Sequence, residues 1–445
     1  MEEYIKKLLE QIRFEKAHKA IGDEIRLHIE DQVQENISEG MDQVTAEKRA
    51  VEDMGDPVEA GMQLDKVHRP QMAWKLVIAT LAVALIGMII HIYMSAQLNW
   101  GMTVTVFGGH SVKESAVFVF YSVLGMAVML LLYFMDYTTF AKYSTVVGSI
   151  FMILSLCSYW ICIVGFDSEE SAVFQFLYGL NDYTCSLMFL MIPIYAGILY
   201  KYRGQKFGGL VKAIIWIVAL IATSPFYHGE YSFEAKTSVM ICMLVQLTIA
   251  IKKEWINVKK IPSIIFIWSS LMIPFIKFIH FCKIYDFWHE KEIIRPIISS
   301  ARLFGRGMVS GDSIDYAEDS GVLTYISTTM GIGIAIAVVA VILGLTVYGL
   351  IVIAKTKNQL GFVMGIGCMI WVIEKVIFNT IYGFGLLYNE HSSTFLPFIS
   401  GGYAYGRLII SYAMFGIILS IYKYKNAYAE HVDIKIHRNI KKLEV

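Results

Sequence analysis

The chain has 445 residues, of which 56% are hydrophobic and 17% charged, and its formal net charge is zero. This composition excludes an ordinary soluble globular protein and predicts a polytopic membrane protein. The neutral charge gives no reason to expect a nucleic-acid partner. The six cysteines suggest no disulfide framework, and the charged, amphipathic start of the chain predicts no cleavable signal peptide.

Residues 1–70 are predicted to form a small helical domain, called the prefix domain below. Aliphatic side chains recur there at four-residue spacing between charged ones: Ile25, Ile29, Val33 and Ile37. This spacing predicts an amphipathic helix. Gly40 should end that helix, Asp42 should cap the next one, and Gly55 with Pro57 should stop it.

The string from Glu39 to Gly61, EGMDQVTAEKRAVEDMGDPVEAG, resembles the permease-prefix (HAAS-type) domain that precedes several Gram-positive membrane proteins. The resemblance implies a cytoplasmic module for regulation or interaction, with no chemistry of its own. A solvated helical hairpin that only begins the chain is the open alternative.

Apolar runs of membrane-spanning length follow one another from Trp74 onward. Hydropathy predicts ten spans: 74–95, 116–136, 143–166, 184–200, 210–226, 235–251, 262–281, 321–354, 361–388 and 398–422. The run from Gly321 is longer than one span needs, so we expect a kinked or re-entrant entry there. Three glycines are available for the bend: Gly331, Gly333 and Gly344.

Basic residues cluster in alternate loops between the predicted spans. They lie at 201–212, 252–260, 355–357 and 423–438. The loops between these clusters are acidic or neutral, so the positive-inside rule predicts that both termini are cytoplasmic. The predicted fold class is all-α, with about ten transmembrane helices at 71–426, a large outward loop at 282–320 and a basic tail at 427–445.

The most specific signature lies in the C-terminal part of the chain. Asn379–Tyr388 reads NTIYGFGLLY and Phe395–Gly402 reads FLPFISGG, between two apolar runs of membrane length. This helix–turn–helix resembles the C-terminal end of the SEDS family, the FtsW/RodA/SpoVE polytopic proteins of bacterial cell shape, cell division and sporulation. Ten positions agree with the family pattern: Asn379, Gly385, Leu386, Leu387, Leu396, Pro397, Phe398, Ile399, Ser400 and Gly402.

The resemblance implies a role in peptidoglycan synthesis, the building of the cell wall, at the bacterial plasma membrane. The implied substrate is lipid II or a related undecaprenyl-pyrophosphate lipid. The implied activity is that of a glycosyltransferase working beside a class B penicillin-binding protein. No cofactor is implied, although a divalent cation is compatible with a pyrophosphate substrate.

A Gly-rich element precedes the eighth span. Ser300–Met308, SARLFGRGM, resembles the Gly-rich element of the same family, with Arg306 at the basic position. A guanidinium grips phosphate oxygens in bidentate fashion, so Arg302 and Arg306 are predicted to bind the lipid pyrophosphate. Gly305 and Gly307 allow the backbone to approach it closely. A flexible turn whose arginines meet lipid headgroups is the alternative.

The resemblance also implies a catalytic Asp just before the eighth span, in a motif of the type Pro-Glu-x-x-x-Asp-Phe. Without a gap, Glu318 matches the Glu of that motif and Val322 falls at the Asp; a shortened loop places Ser320 there. Asp319 is therefore the first substitute for a base that takes a proton from the attacking sugar hydroxyl, followed by Asp315 and Glu318. The alternative is that these acids only solvate the end of a loop.

Some ionisable residues lie inside predicted spans, among them Glu374 and Lys375 in the ninth and Arg407 in the tenth. Charge in lipid is costly, so such residues usually face the bundle interior, pair with one another and mark a functional path. Six residues are predicted to line a polar cavity suited to a lipid-linked headgroup: Glu374, Lys375, Asn379, Arg407, Pro397 and Ser400. A structural ion pair between two helices is the alternative.

Three hypotheses follow. The first is a peptidoglycan glycosyltransferase, with Asp319 as the base. The second is a non-catalytic SEDS relative that acts as a scaffold or regulator and uses the prefix domain as its input. The third is a flippase for a lipid-linked precursor that uses the Glu374/Lys375/Arg407 cavity. The sequence has no metal-ligand spacing, P-loop or nucleotide fingerprint, so neither a metal site nor an ATP-driven pump is expected.

Overall fold

The computed structural model describes residues 1–97, 103–106, 110–164, 186–223, 229–270, 297–307, 322–386, 395–400, 405–432 and 434. Apart from one hairpin, the regular secondary structure of these residues is helical, and the all-α fold class is confirmed. The hairpin pairs β1 (Thr103–Val106) with β2 (His110–Lys113) in antiparallel register. It is a local addition that the hydropathy pattern does not predict.

The prefix domain contains four helices: α1 (Glu2–Leu9), α2 (Glu15–Ser38), α3 (Gln43–Asp53) and α4 (Pro57–His68). Their buried aliphatic side chains, among them Leu8, Ile21 and Ile29, form an apolar cluster of their own. Arg13, which lies between α1 and α2, joins this part of the domain to α4 through Asp65. Its Nη2 lies 2.6 Å from the Asp65 carboxylate, and its backbone N–H donates to the same carboxylate at 3.0 Å.

Turn residues delimit these helices largely as predicted. Gly40 follows α2 with a φ of 99°, and Gly55 follows α3 with a φ of 75°. The Asp42 carboxylate caps α3 by accepting a hydrogen bond from the Thr45 N–H. Pro57 begins α4, because its fixed φ suits the first helical turn and its missing N–H is not needed there.

Eleven mostly apolar helices follow in the described residues: α5 (Trp74–Gln97), α6 (Glu114–Phe134), α7 (Tyr137–Val164), α8 (Met191–Lys201), α9 (Phe207–Thr223), α10 (Gly229–Lys252), α11 (Lys260–Ser269), α12 (Val322–Thr329), α13 (Ile332–Ala354), α14 (Gln359–Gly383) and α15 (Tyr405–Lys423). Seven of them (α5, α6, α7, α10, α13, α14 and α15) contain a segment long and apolar enough to cross a membrane. Three shorter apolar segments contain α8, α9 and α11. These ten segments lie in the ten regions predicted to span.

Two of the predicted spans have a different internal structure. The eighth is divided into α12 and α13 at Gly331, whose φ of 109° is a conformation that glycine favours, so the predicted bend is confirmed. The predicted start of the tenth span at residue 398 is wrong. Phe398 lies in a turn with a φ of 68°, which a continuous right-handed helix excludes, and α15 begins only at Tyr405.

Helices α6 and α15 pack closely through small residues. A Cβ atom at Gly416 would lie 2.7 Å from the Met129 carbonyl oxygen, and one at Gly125 would lie 2.2 Å from the Tyr412 ring. Small residues let helix backbones approach each other in membrane proteins, where van der Waals packing replaces much of the hydrophobic driving force. The two glycines therefore set the distance between α6 and α15.

Basic side chains gather at one end of the bundle, called the basic end below. Several of them lie over aromatic rings: Lys142 over Tyr143, Arg203 over Tyr200, Lys253 over Phe362 and Lys423 over Tyr133. Cation–π contacts of this kind hold long basic side chains against an apolar surface. The prefix domain meets the bundle at this end, because the Lys16 Nζ atom lies 2.5 Å from the Asp136 Oδ2 atom. Just after the domain, the Gln71 N–H donates to the Lys423 carbonyl at the end of α15, at 2.8 Å.

Candidate functional site

The candidate site is built on one face of α14. Trp371, Lys375 and Asn379 are four residues apart, a spacing that places side chains on the same face of a helix. All three are almost fully buried, with exposed fractions of 0%, 1% and 0%. The Lys375 Nζ atom lies 5.3 Å from the centroid of the Phe189 ring, which also packs 5.2 Å from Trp371. This set of three residues is called the polar stripe below.

A carboxylate lies beside the polar stripe. The Glu374 Oε2 atom is 3.5 Å from the Lys375 Nζ atom and accepts a hydrogen bond of 2.6 Å from the Ser238 hydroxyl of α10. A buried charge is stable in a bundle only when it is paired and hydrogen-bonded. Glu374 and Lys375 thus pair with each other inside the bundle, and the polar cavity that they were predicted to line with Arg407 stays a prediction.

Asn379 combines full burial with unused hydrogen-bonding capacity. Among the described residues, neither its Nδ2 nor its Oδ1 atom has a hydrogen-bond partner, and the same is true of Trp371 Nε1. Leaving such groups unsatisfied costs about 1–3 kcal/mol each. The polar stripe thus offers two donor nitrogens and one acceptor oxygen that the described helices do not use.

The turn at Phe395–Ser400 packs next to the polar stripe. It is fully buried, and its Phe395 ring lies 6.2 Å from the Trp371 ring. The Ser400 hydroxyl accepts a 2.6 Å hydrogen bond from the Leu396 N–H, and the Ile399 carbonyl accepts one from His91 Nε2 at 2.6 Å. Lipid cannot form hydrogen bonds with these two backbone groups, so the protein must supply the partners. Ser400 therefore has a structural role in the turn.

The turn also touches α5 through its backbone. A Cβ atom at Gly87 would lie 2.5 Å from the Phe398 carbonyl oxygen. Phe398 itself packs edge-on against the rings of Tyr412 and Phe415 in α15. The turn is therefore held between α5, α14 and α15, and its left-handed Phe398 is fixed by contacts on several sides.

The segment Arg302–Gly307, called the arginine loop below, lies against the break between α12 and α13. Four backbone hydrogen bonds of 2.9–3.0 Å join it to Thr328–Gly333. The side chains of Arg302 and Arg306 are exposed. Helix α12 is joined in turn to α14, because the Thr324 hydroxyl donates to the Gly383 carbonyl at 2.7 Å, one helical turn beyond Asn379. The arginine loop is thus linked to the helix of the polar stripe through α12.

Comparison with known proteins adds one finding at the level of the fold. The chain is similar in structure to a chain of a peptidoglycan synthase complex that coordinates polymerization and crosslinking. The TM-score is 0.54 at 12% sequence identity, and the match covers 80% of this chain and 99% of the other. No protein-family model matches the chain, and no curated protein matches it by sequence. At this identity the likeness shows a shared fold.

The structure describes most of the predicted site residues. Glu374, Lys375 and Asn379 lie together on α14, and the turn that carries Pro397 and Ser400 lies next to them through the Phe395–Trp371 contact. Arg407 is half-buried in the first turn of α15, and its pairing with Glu374 or Lys375 stays a prediction. Gly305 and Gly307 donate backbone hydrogen bonds to Met330 and Thr328. The three candidate catalytic acids, Asp315, Glu318 and Asp319, lie outside the described residues.

Two residues of the candidate site were not predicted from the sequence. Trp371 lies four residues before Lys375, about one helical turn, so a search for polar groups at that spacing finds it. Ser238 belongs to another helix and is 136 residues from Glu374 in sequence, so no local pattern indicates it. Within the described part of the chain, no group of three His, Cys, Asp or Glu side chains is placed to hold a metal ion.

Proposed function

We propose that the chain is a multi-pass membrane component of bacterial peptidoglycan synthesis that acts on a lipid-linked precursor such as lipid II. The observation that carries this proposal is the shared fold with a chain of a peptidoglycan synthase complex, which extends over 99% of that chain. The resemblance of the C-terminal signature to the SEDS family supports it independently, since it rests on the sequence alone.

The polar stripe supports the choice of a lipid-linked substrate. Such a substrate keeps its polyprenyl chain in the bilayer while its polar headgroup needs hydrogen bonds. Asn379 can both donate to and accept from a sugar or pyrophosphate group, and Lys375 with Glu374 supplies fixed charge beside it. Intramembrane polar groups of this kind usually mark a substrate path.

The proposed reaction is glycosyl transfer. A carboxylate takes the proton from the attacking sugar hydroxyl, the new glycosidic bond forms at the anomeric carbon, and undecaprenyl pyrophosphate leaves. Asp319 is the first candidate for this base, with Asp315 and Glu318 behind it. Arg302 and Arg306 are proposed to hold the departing pyrophosphate, because a guanidinium matches its oxygens in bidentate geometry. A class B penicillin-binding protein is the proposed partner, and the prefix domain is proposed to be cytoplasmic.

One observation favours a second candidate, a non-catalytic scaffold or regulator of the same machinery. Val322 stands where the ungapped alignment with the family expects its catalytic Asp, and it forms the first residue of α12. A side chain without a titratable group cannot act as the base. The two candidates therefore differ in whether a neighbouring acid has taken over that role.

The test is lipid II polymerisation by the purified full-length chain, alone and with a co-purified class B penicillin-binding protein, followed by gel separation of the glycan products. We expect polymer from the parent, its loss in Asp319→Ala, and its retention in the matched control Asp312→Ala from the same acidic stretch. No polymer from a well-folded sample in either setting would contradict catalysis. Co-purification with the partner would then support the scaffold.

A further inference from the structure

The prefix domain makes specific contacts with the membrane bundle at its basic end. The Phe14 ring lies 5.6 Å from the Tyr424 ring and 5.4 Å from the Tyr428 ring, measured between centroids. Two residues further along, the Lys16 Nζ atom is 2.5 Å from the Asp136 Oδ2 atom in the turn between α6 and α7. An aromatic and a basic side chain at the start of α2 therefore engage the bundle together.

The receiving surface is built around the Asp136 carboxylate, whose side chain is only 8% exposed. Besides Lys16, three donors reach it: the Thr138 N–H at 3.0 Å, the Thr138 hydroxyl at 2.9 Å and the Tyr428 hydroxyl. We name Asp136, Thr138, Tyr424 and Tyr428 the socket. A largely buried carboxylate needs such partners, because its desolvation is costly when any of them is removed.

The socket is joined to the helix that carries the polar stripe. Tyr424 and Tyr428 begin a C-terminal segment, Tyr424–Val432, that runs over the first turn of α14. The Asn358 side chain donates to the Ala429 carbonyl at 2.8 Å, and the Gln359 N–H donates to the Glu430 carbonyl at 3.0 Å.

A second contact links the socket to α14 through an aromatic ring. The Tyr137 ring packs at right angles to the Tyr428 ring, 5.9 Å away between centroids. On its other side Tyr137 lies against α14, where a Cβ atom at Gly361 would be 3.2 Å from the Tyr137 hydroxyl. Two sets of contacts, both of which include Tyr428, thus connect the docked prefix domain to the start of α14.

Charge favours the docked arrangement. Residues 1–68 contain 17 acidic and nine basic side chains, a formal charge of −8, and the other 377 residues carry +8. The basic end, where the prefix domain docks, carries Lys142, Arg203, Lys253 and Lys423. Attraction between exposed charges of this kind is screened by salt, and so in part is the Lys16–Asp136 pair, because the Lys16 side chain is 55% exposed.

We propose that the Phe14–Lys16 contact with the socket is a regulatory latch. The docked prefix domain orders the C-terminal segment and the first turn of α14, and its release loosens both. The prefix domain is in this way the input that controls the helix of the polar stripe. The effect of the latch on peptidoglycan synthesis rests on the proposed function, whereas the existence of the latch does not.

The test is hydrogen exchange, read by mass spectrometry, on the full-length chain in a neutral detergent. Lys16→Glu removes the ion pair and places a second carboxylate beside Asp136, and Phe14→Ala removes the aromatic contact. Lys19→Glu is the matched control, since Lys19 is an exposed lysine on the same helix. We expect exchange about tenfold faster or more at 424–432 and 358–364 in Lys16→Glu, as for the loss of a charge-assisted hydrogen bond. A smaller increase at the same segments is expected in Phe14→Ala, which loses only aromatic contacts.

Unchanged exchange at both segments in Lys16→Glu and Phe14→Ala would overturn the latch. Faster exchange confined to α2 would overturn it equally, because release would then not reach α14. Raised salt should increase exchange at the same two segments in the parent, and its failure to do so counts against the charge contribution. None of these readouts needs enzymatic activity, so a failed polymerisation assay and a failed latch are distinguishable.

Discussion

Asn379 carries the sharpest conflict between burial and polarity in the described bundle, because its amide is fully buried and both of its polar atoms lack partners there. Asn379→Leu should raise the free energy of unfolding by about 1–3 kcal/mol, since it removes unsatisfied polar groups. The same change should weaken lipid II binding if the amide serves the substrate. Thermal unfolding in detergent measures the first effect, and a lipid II binding assay measures the second.

Met369→Leu is the control for that prediction, because it is a volume-conserving apolar change in the same buried helix. A loss of stability in Asn379→Leu without any change in lipid binding would show that the amide is a structural residue whose partners lie elsewhere in the chain.

The Glu374–Lys375 pair predicts a strong non-additivity. Removal of either charge alone, by Glu374→Gln or Lys375→Met, breaks the 3.5 Å ion pair inside the bundle and should cost about 3–5 kcal/mol. The double variant should recover most of that loss, because an uncharged pair needs no compensation. Thermal unfolding of the parent, the two single variants and the double variant gives the double-mutant cycle. If the double variant is as unstable as the sum of the single ones, the two side chains do not stabilise each other.

Asp65 gives the prefix domain a pH dependence of known sign. Hydrogen bonds from Arg13 lower the pKa of the Asp65 carboxyl below its ordinary value. A lowered folded pKa stabilises the domain above the unfolded pKa of about 4, and this contribution disappears as the pH falls through the folded pKa. At neutral pH the parent should therefore protect the prefix-domain amides from hydrogen exchange better than Asp65→Asn does. In acid the two proteins should exchange at the same rate. A constant difference across the acid range, measured by hydrogen exchange, would contradict this assignment.

At the scale of elements, the close packing of α6 and α15 is open to a direct test. Gly416→Ala places a Cβ against the backbone of Met129, which cannot move as a side chain does, and should cost about 1–3 kcal/mol. Gly344→Ala in α13 is the matched control, because no atom lies within 4 Å of its added Cβ. Thermal unfolding should separate the two variants. Equal stability would show that α6 and α15 can move apart without loss.

Elements were predictable where one physical signal dominates. Runs of apolar residues predict the membrane helices because lipid tolerates few other residues over that length. Glycines predict a bend in the eighth span because they adopt a positive φ readily, and the structure places the bend at Gly331. The turn at Phe398 was not predictable, since its residues continue the apolar run of the tenth span. Its conformation depends on His91, Gly87 and Tyr412, which lie on other helices.

The candidate site was predictable in part for the same reason. Charged residues inside apolar runs stand out, so Glu374 and Lys375 could be found from the sequence. The contact of Glu374 with Ser238 and the docking of Lys16 on Asp136 join residues 136 and 120 positions apart. Contacts of that range follow from tertiary packing and leave no local pattern.

At the scale of the whole molecule, opposite charges divide the chain into an acidic prefix domain and a basic remainder. The docked prefix domain, the C-terminal segment and the start of α14 form one connected set of contacts at the basic end. The polar stripe lies further along the same helix, beside the buried turn and α12. This organisation places the proposed regulatory input and the buried polar stripe on a single helix, α14.

The most direct measurement is native mass spectrometry of the purified full-length chain with lipid II, in competition with phosphatidylglycerol. We expect selective retention of lipid II, weakened about tenfold by Asn379→Leu because hydrogen bonds to a polar headgroup are lost. The Met369→Leu control should bind like the parent. Equal retention of both lipids, unaffected by Asn379→Leu, would contradict the claim that this chain acts on a lipid-linked peptidoglycan precursor through the polar stripe.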